Sequence, residues 1–260
     1  MNRRQLFRVA VTAMALSGLG AFAHADTVAN LKSAGKMRVA VLQDYPPFGS
    51  VGPDMKPLGL DVDLANMIAE KLGVTAEFVP VSAPNRIPYL QTGKVDVIIA
   101  SLGKNAEREK VVEYSKPYAM TFNGVFGPPD VKVSGPEDLS GKSLAVTRGS
   151  TQDLIISDLV PKDAELKRFE DSTGTQAAYM SGQADLFVTG NITAFMVAKD
   201  AKRPLETKFK LNDEGAYVGA VKGDTAFISA INEAIDALKA DGKLNELSEK
   251  WLGEPAPANL

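Results

Sequence analysis

Cysteine is absent from the 260-residue chain, and histidine occurs once, at position 24. Without cysteine the chain can form no disulfide, thiol nucleophile or thiolate–zinc site, and no lipid can be attached through a cysteine. His24 lies in a segment that we expect to be removed, so the mature chain would also lack Ser-His triads and histidine-ligated zinc. The sequence therefore predicts neither a metal nor any other cofactor.

Residues 1–25 have the pattern of an export signal. Three arginines stand before residue 9, an apolar run extends to Phe22, and Ala23-His24-Ala25 is a small-x-small cleavage site. The run is too short and wrongly flanked for a stable membrane span. A general secretory signal fits better than a twin-arginine one, which the start resembles weakly. We expect a periplasmic protein that is cleaved near Ala25.

Acidic residues outnumber basic ones. The whole chain has 29 Lys and Arg against 32 Asp and Glu, and the export signal holds three arginines and no acid. The mature chain is therefore left with 26 basic residues and a net charge of −6. This charge argues against nucleic acid and anionic membrane surfaces as partners. The length allows one large domain or two lobes.

A buried strand followed by a loop of small residues contains the strongest candidate site. Val95–Ala100 is a nearly unbroken apolar run, Ser101 and Gly103 interrupt it, and Asn105–Arg108 opens a helical pattern. A loop that enters a helix presents free N–H groups to an anion, and a guanidinium binds a carboxylate bidentately. Arg108 is therefore a candidate for binding a small carboxylate. A surface arginine in an ordinary loop remains the alternative.

Two further loops carry candidate ligand contacts. Tyr45 precedes two prolines just past a predicted strand, where its ring could stack on a ligand. Arg86 falls near a helix start and is either a second cation over the pocket or a surface residue. Arg148, Ser150 and Thr151 mark another helix start that suits an anion, although a capping box would explain the two hydroxyls equally well.

Two segments of the chain repeat one pattern. Residues 90–101 and residues 179–190 each end a helix at glycine, place an aspartate three residues later and continue as an apolar strand. The strands end at Ser101 and Gly190. The repeat predicts two α/β units whose strand ends face each other.

Short motifs follow one another in a specific order between Val39 and Gly253. They are Asp44-Tyr45-Pro46-Pro47-Phe48, Gly59 to Leu64, Gly93-Lys94-Val95-Asp96-Val97-Ile98, Glu107-Arg108, Tyr114-Ser115-Lys116-Pro117-Tyr118, Gly149-Ser150-Thr151, and Asp241-Gly242 ahead of Lys250-Trp251. As an ordered set they resemble the periplasmic polar amino-acid-binding proteins of ABC importers, family 3 of the type 2 solute-binding fold. The resemblance implies an α/β fold of two lobes, each a mixed, mostly parallel sheet flanked by helices, with two hinge crossovers.

The resemblance also implies how the chain is divided and what it does. Residues 26–120 with 217–254 would form lobe 1, residues 121–216 lobe 2, and residues 255–260 a flexible tail. A monomeric, non-catalytic protein would close its lobes on a small carboxylated solute, a polar or acidic amino acid above all. It would then deliver that solute to an ABC permease.

Individual residues take family roles by the same resemblance. Tyr45 corresponds to the aromatic residue that stacks on the ligand. The clamp for the α-carboxylate corresponds to residues of both lobes, which are Ser101, the backbone of Gly103, Arg108, Ser150 and Thr151. Arg86 matches the arginine that meets a side-chain carboxylate in binders of acidic amino acids, and it occurs in relatives with other ligands.

Three features depart from the family pattern. Gly103 stands where many members have Ser or Thr. Gly190 and Asn191 stand where members usually place an aspartate that pairs with the ammonium of the ligand. Arg148 is an additional cation beside the predicted pocket.

The departures change the charge expected in the cleft. With Arg86, Arg108 and Arg148 together, we expect a ligand with more negative than positive charge and no binding of cationic amino acids. The candidates are an acidic amino acid, its ammonium held by Asn191 and backbone carbonyls, and a dicarboxylate without an amino group. Under this hypothesis Gly190→Asp improves the binding of an amino acid.

An enzyme on the same fold is the alternative function. Periplasmic cyclohexadienyl (prephenate/arogenate) dehydratases look similar and need a carboxylic acid but neither His nor Cys. The sequence shows no isolated carboxylate at a strand end that burial would turn into a general acid. Asp44 and Asp153 are the nearest candidates, and they suit turn and cap positions. The transport receptor is therefore preferred.

Overall fold

The computed structural model describes residues 27–200, 203–258 and 260. The predicted export signal, with His24 and Ala25, lies outside these residues. The helices described are α1 (Thr27–Ala34), α2 (Leu60–Leu72), α3 (Arg86–Gln91), α4 (Ala106–Glu109), α5 (Thr151–Ser157), α6 (Ser172–Met180), α7 (Asn191–Asp200), α8 (Thr225–Ala240) and α9 (Lys243–Leu252). The strands described are β1 (Lys36–Val41), β2 (Asp44–Tyr45), β3 (Gly49–Val51), β4 (Pro57–Leu58), β5 (Thr75–Pro80), β6 (Val97–Leu102), β7 (Val112–Gly127), β8 (Ser143–Thr147), β9 (Glu165–Phe169), β10 (Leu186–Gly190) and β11 (Glu206–Val221).

Two strands of 16 residues, β7 and β11, pair antiparallel in the middle of an eight-stranded sheet. The strand order is β5-β1-β6-β11-β7-β10-β8-β9, and every pair outside the two long strands is parallel. Strands β2, β3 and β4 form a separate small sheet. The predicted mixed, mostly parallel α/β architecture is confirmed.

The long strands separate two halves of the sheet, which have their own apolar clusters. We call β5, β1 and β6 with their helices the first half, and β10, β8 and β9 with theirs the second half. Val39, Val97 and Ile99 are buried under α2 and α8 in the first half. Leu144 and Val188 belong to a different cluster in the second. Only β7 and β11 run continuously from one half to the other.

The repeat seen in the sequence corresponds to a repeated structural role. Asp96 follows the end of α3 and accepts a hydrogen bond from the backbone N–H of Arg38 on β1 at 2.8 Å. Asp185 follows the end of α6 and accepts one from the backbone N–H of Ser143 on β8, also at 2.8 Å. In both halves, therefore, the aspartate ties the start of one strand to the neighbouring parallel strand. The repeat in the sequence reflects this shared constraint.

Several boundaries differ from those predicted. The strand predicted from Val95 to Ala100 is β6, which extends to Leu102, so Ser101 lies within it with a φ of +46°. The segments on either side of Pro117 form the single strand β7. A register shift opposite this proline accommodates it, because proline has no N–H to donate to the ladder. The predicted flexible tail contacts α9, where Ala256 donates to Asn245 at 3.0 Å.

The described part of the chain contains neither a membrane-spanning helix nor a cluster of metal ligands. In residues 27–200 and 203–258, no helix combines the length and the apolar character needed to cross a bilayer. The same part of the chain holds no cluster of three or more Asp, Glu, His or Cys that could bind a metal ion.

Candidate ligand-binding cleft

A cleft lies between the two halves, at the carboxyl ends of β6, β8 and β10. Its empty space is about 510 Å³, part of it open to solvent. Twelve of its fifteen lining residues have polar side chains, and the three apolar ones are Leu42, Ala83 and Val188. Crevices at this end of α/β strands are the usual place for ligands. The polar lining suits a small hydrophilic molecule.

Arg108 joins the two halves beside this cleft, in an adjoining cavity that it lines together with Arg86 and Gly149. Asn105 caps α4 by accepting a hydrogen bond from the N–H of Arg108, and this fixes the backbone of the arginine. Its Nη1 donates to the carbonyl of Gly103 and to Oγ1 of Thr151, both at 2.8 Å, and its Nη2 donates to the carbonyl of Gly149 at 3.0 Å. Burial lowers the pKa of Arg108. The predicted proximity of Gly103, Arg108 and Thr151 is therefore present.

Arg86 is a buried cation in the wall of the cleft. Its Nη1 donates to the carbonyls of Ala100 and Ser101 at 2.9 and 3.1 Å, and its Nε donates to the carbonyl of Ala83 at 3.0 Å. Burial and the charge of Arg108 lower the pKa of Arg86 to about 10, so it remains charged at neutral pH. Arg86 thus lies in the cleft and is held there by backbone carbonyl groups of β6.

Ser101 is held from behind by a buried tyrosine and a buried carboxyl group. The N–H of Ser101 donates to the hydroxyl of Tyr118 at 3.2 Å, and that hydroxyl donates to Oδ1 of Asp61 at 2.7 Å. The sequence Gly59-Leu60-Asp61 at the start of α2 would suit Asp61 as a helix cap, but the cap position is Gly59. Asp61 is fully buried, and its Oδ2 has no hydrogen-bond partner. Burial raises the pKa of Asp61 to about 7.

We expect Asp61 to make the stability of the protein depend on pH. Its pKa rises from 3.8 in the unfolded chain to about 7 in the folded one, so its contribution to stability is present below pH 4 and is lost as the pH rises through 7. The free energy of unfolding should fall by roughly 4 kcal/mol over that range. Chemical denaturation of wild type and Asp61→Asn between pH 4 and pH 8 measures the effect, and the variant should lose most of the slope. The exposed Asp54→Asn is the control, and identical profiles for Asp61→Asn and wild type would contradict the prediction.

Tyr45 lies in the cleft, on the loop where the sequence placed it. Its ring stacks on Phe48 with centroids 5.7 Å apart, and Phe48 is buried in the core. The hydroxyl of Tyr45 reaches across to β10 of the second half. A Cβ atom added to Gly190 would lie 2.6 Å from that hydroxyl. The space that an aspartate would need at this position is therefore taken by Tyr45, and the expected benefit of Gly190→Asp is wrong on steric grounds.

The other predicted residues of the second half divide into two groups. Ser150 and Thr151 line the cleft, and Ser150 also caps α5 by accepting from the N–H of Asp153 at 3.0 Å. Arg148 turns away to an ion pair with Glu170 at 2.7 Å and is half-exposed, so the prediction of a third cation in the cleft is corrected. Asn191 accepts a hydrogen bond from the N–H of Phe122 at 3.0 Å and does not line the cleft, so its predicted contact with an ammonium group is corrected as well.

Glu214 is the charged residue lining the cleft that the sequence did not reveal. It lies on β11, and Asn123 of β7 donates to its Oε2 at 2.8 Å. Asn123 in turn accepts from Gln152 at 2.6 Å, which links the long strands to α5. Burial raises the pKa of Glu214. With Arg148 outside the cleft and Glu214 inside it, the charge argument against cationic ligands no longer holds.

Hydrogen bonds also join the halves at the rim of the cleft. Oδ2 of Asp44 accepts from the N–H of Ser172 at the start of α6, at 2.5 Å. The hydroxyl of Thr193 on α7 donates to the carbonyl of Pro46 at 3.1 Å. These contacts do not involve Arg108. They hold the second half against the loop that carries Tyr45.

A sheet in two halves, joined by two long strands and enclosing a polar cleft, defines a periplasmic binding protein of type 2. The profile of the bacterial extracellular solute-binding proteins, family 3, matches residues 37–254, so the chain belongs to this family. The glutamine-binding protein GlnH of Bacillus subtilis is 30% identical over 88% of this chain and 85% of its own length. An L-arginine-binding protein of Pseudomonas aeruginosa is 30% identical over 83% and 87%, respectively.

Solved structures agree with this assignment. A mutant of ArgBP from T. maritima superposes with a TM-score of 0.82 at 33% identity and covers 88% of this chain and 100% of its own. An ancestral amino acid-binding protein, described as a precursor of cyclohexadienyl dehydratase, superposes with a TM-score of 0.81 at 31% identity, over 87% and 99%. The relatives named here are binding proteins rather than enzymes, and the resemblance to family 3 is confirmed.

Proposed function

We propose that this protein is the periplasmic receptor of an ABC importer and captures an amino acid between two closing lobes. Residues 26–120 with 217–254 form lobe 1, and residues 121–216 form lobe 2. The hinges are the crossings of β7 near residues 119–122 and of β11 near residues 214–218. The chain acts as a monomer, is exported by its N-terminal signal, and delivers its ligand to a membrane permease.

The geometry of Arg108 carries this proposal. A buried guanidinium within hydrogen-bond reach of both lobes can bind a carboxylate and hold the lobes together at once. Tyr45, Ser101, Ser150 and Thr151 supply a ring face and hydroxyls around the remainder of the ligand. Relatives named for glutamine and arginine support an amino acid over other carboxylates.

A ligand screen tests the function directly. Melting of the purified protein is followed with each of the twenty amino acids and with a set of organic acids. A true ligand at 100 times its Kd should stabilise the protein by about 2.7 kcal/mol. Small-angle scattering with that ligand should show a smaller radius of gyration, because hinge closure makes the molecule more compact. Stabilisation by organic acids alone, or an unchanged scattering curve at saturation, would contradict the proposal.

A dehydratase is the second candidate function. Glu214 favours it, because a buried carboxyl group with a raised pKa can act as a general acid. The two carboxylates considered from the sequence do not, since Asp44 is held by Ser172 and Asp153 is paired with Arg168 at 2.8 Å. Incubation with prephenate and with arogenate decides between the candidates. Binding or inertness without turnover supports the receptor, and catalytic turnover supports the enzyme.

A further inference from the structure

Glu214 has one carboxylate oxygen fixed by the protein and one without a full hydrogen bond. Its Oε2 accepts from Asn123 at 2.8 Å and from Asn212 at 3.1 Å, so both long strands orient the side chain. Its Oε1 is buried in the cleft and meets no donor at full hydrogen-bond geometry among the described residues, while the hydroxyl of Thr151, which already accepts from Arg108, is close enough to stabilise the carboxylate. Leaving a buried charged acceptor unpaired is costly. A donor from a bound molecule would remove that cost.

Gly103 provides the space for this oxygen. A Cβ atom added to Gly103 would lie 1.4 Å from Oε1 of Glu214 and 2.4 Å from Oγ1 of Thr151. No other residue type fits at position 103 while Glu214 keeps its place. Two of the three departures from the family pattern therefore have a structural reason. Gly103 makes room for the carboxylate of Glu214 on β11, and Gly190 makes room for the hydroxyl of Tyr45.

The charges around Gly103 match a zwitterion. Arg108 donates to the carbonyl of Gly103, and Oε1 of Glu214 lies beside its Cα, so a cation and an unpaired anion converge on one residue. Burial raises the pKa of Glu214, whereas the charge of Arg108 and the side chains of Asn123 and Thr151 oppose that rise. A second carboxylate beside Oε1 would be repelled, and an ammonium group would be attracted.

We propose that Oε1 of Glu214 accepts a hydrogen bond from the ammonium group of the bound amino acid. Glu214 thus supplies, from the hinge strand β11, the negative charge that position 190 lacks. The inference rests on the proposed function and deepens it. The ligand class is the α-amino acids with a free ammonium group, and dicarboxylates without one are excluded from tight binding.

The test compares amino acids with the acids that lack only the amino group. Titration calorimetry is run with three pairs: L-glutamine and glutaramic acid, L-arginine and δ-guanidinovaleric acid, and L-glutamate and glutaric acid. Wild type should prefer the amino acid in at least one pair by about tenfold to a hundredfold, the range expected for a charge-assisted hydrogen bond. In Glu214→Gln the preference should fall to near one, because the amide keeps the shape and loses the charge.

Asp213→Asn is the matched control. Asp213 precedes Glu214 on β11 but is exposed and paired with Lys210, so its neutralisation should leave the preference unchanged. Glu214→Asp keeps the charge and shortens its reach, and it should retain part of the preference if the glutamine variant does not fold. A wild-type preference preserved in Glu214→Gln overturns this inference alone. If the screen identifies a different amino acid as the ligand, that amino acid and its analogue without the amino group replace the three pairs. Failure of the wild type to bind any of the twenty amino acids overturns the proposed function together with this inference.

Discussion

Replacing Arg108 with alanine should weaken ligand binding by about 2–5 kcal/mol, or roughly 30- to 5,000-fold in Kd. Arg108 is 7% exposed, and its side chain donates to Gly103, to Gly149 and to Thr151, of which Thr151 lines the cleft. Its loss removes both the partner of the carboxylate and the bridge from Gly103 to Thr151. Arg108→Lys should recover only part of the affinity, because a point charge cannot form the bidentate fork. Titration calorimetry with the amino acid identified by the screen measures the Kd of wild type, Arg108→Ala and Arg108→Lys.

Arg148→Ala is the control for the loss of a positive charge. Its guanidinium is paired with Glu170 outside the cleft, and a surface ion pair contributes about 0–1 kcal/mol to stability, so the affinity of this variant should stay close to that of wild type. Melting of each variant without ligand separates binding from folding. Arg108 belongs to none of the apolar clusters, so its removal should lower the melting temperature only modestly. Equal affinities in Arg108→Ala and Arg148→Ala would refute the assignment of the carboxylate site.

Adding one methyl group at Gly190 should prevent full closure of the lobes. The new Cβ would stand 2.6 Å from the hydroxyl of Tyr45 on the opposite lobe, while its nearest neighbour in its own lobe is Gln152 at 3.9 Å. The collision is therefore one between the two halves of the sheet, and the hinge opening proposed above would relieve it. We expect Gly190→Ala to melt like wild type without ligand and to bind about 5- to 150-fold more weakly, the effect of roughly 1–3 kcal/mol of overpacking. Scattering with ligand should show incomplete compaction.

Removing the hydroxyl of Tyr45 should restore the ligand affinity of Gly190→Ala. The ring carbon that bears the hydroxyl would lie 3.8 Å from the new Cβ, an ordinary van der Waals contact, so Tyr45→Phe combined with Gly190→Ala can close. Tyr45→Phe alone should lose about tenfold at most, because it removes only neutral hydrogen bonds of the hydroxyl, with Thr193, Thr189 and the backbone of Gly190. A double variant no better than Gly190→Ala would show that the defect lies elsewhere than at this contact.

The parts of the site that depend on local sequence were predictable. The strand, small-residue loop and helix start around Arg108 have strong local signals, namely an apolar run, a Gly and an Asn cap. The same holds for Ser150, whose capping role and cleft position are both present. For Ser150 the backbone itself places the hydroxyl, whereas for Arg108 the local signals place the backbone and contacts with Gly149 and Thr151 then orient the guanidinium. For both residues, the local sequence pattern therefore predicts the helix start that the structure shows.

The parts that depend on tertiary contacts were not predictable. Glu214 follows Asn212 and Asp213, and three polar residues in a row are typical of a solvated segment. Its entry into the cleft requires β11 to cross beside β7 and requires Gly103 to lack a side chain. The prediction for Arg148 was wrong because its long side chain forms an ion pair with Glu170 outside the cleft. No pattern in the sequence around Arg148 indicates that partner.

The hydrogen bonds at the rim have a consequence for how affinity is set. Asp44 with Ser172, and Thr193 with Pro46, join the two halves through protein atoms alone, so under the proposed hinge closure they favour the closed arrangement for every ligand. The observed Kd equals the intrinsic Kd divided by the fraction of molecules that are already competent to bind. Changes at the rim would therefore rescale the affinities of all ligands by one common factor, without altering their ranking. Binding strength and ligand choice can thus evolve at separate positions of the chain, the first at Asp44 and Thr193, and the second around Gly103.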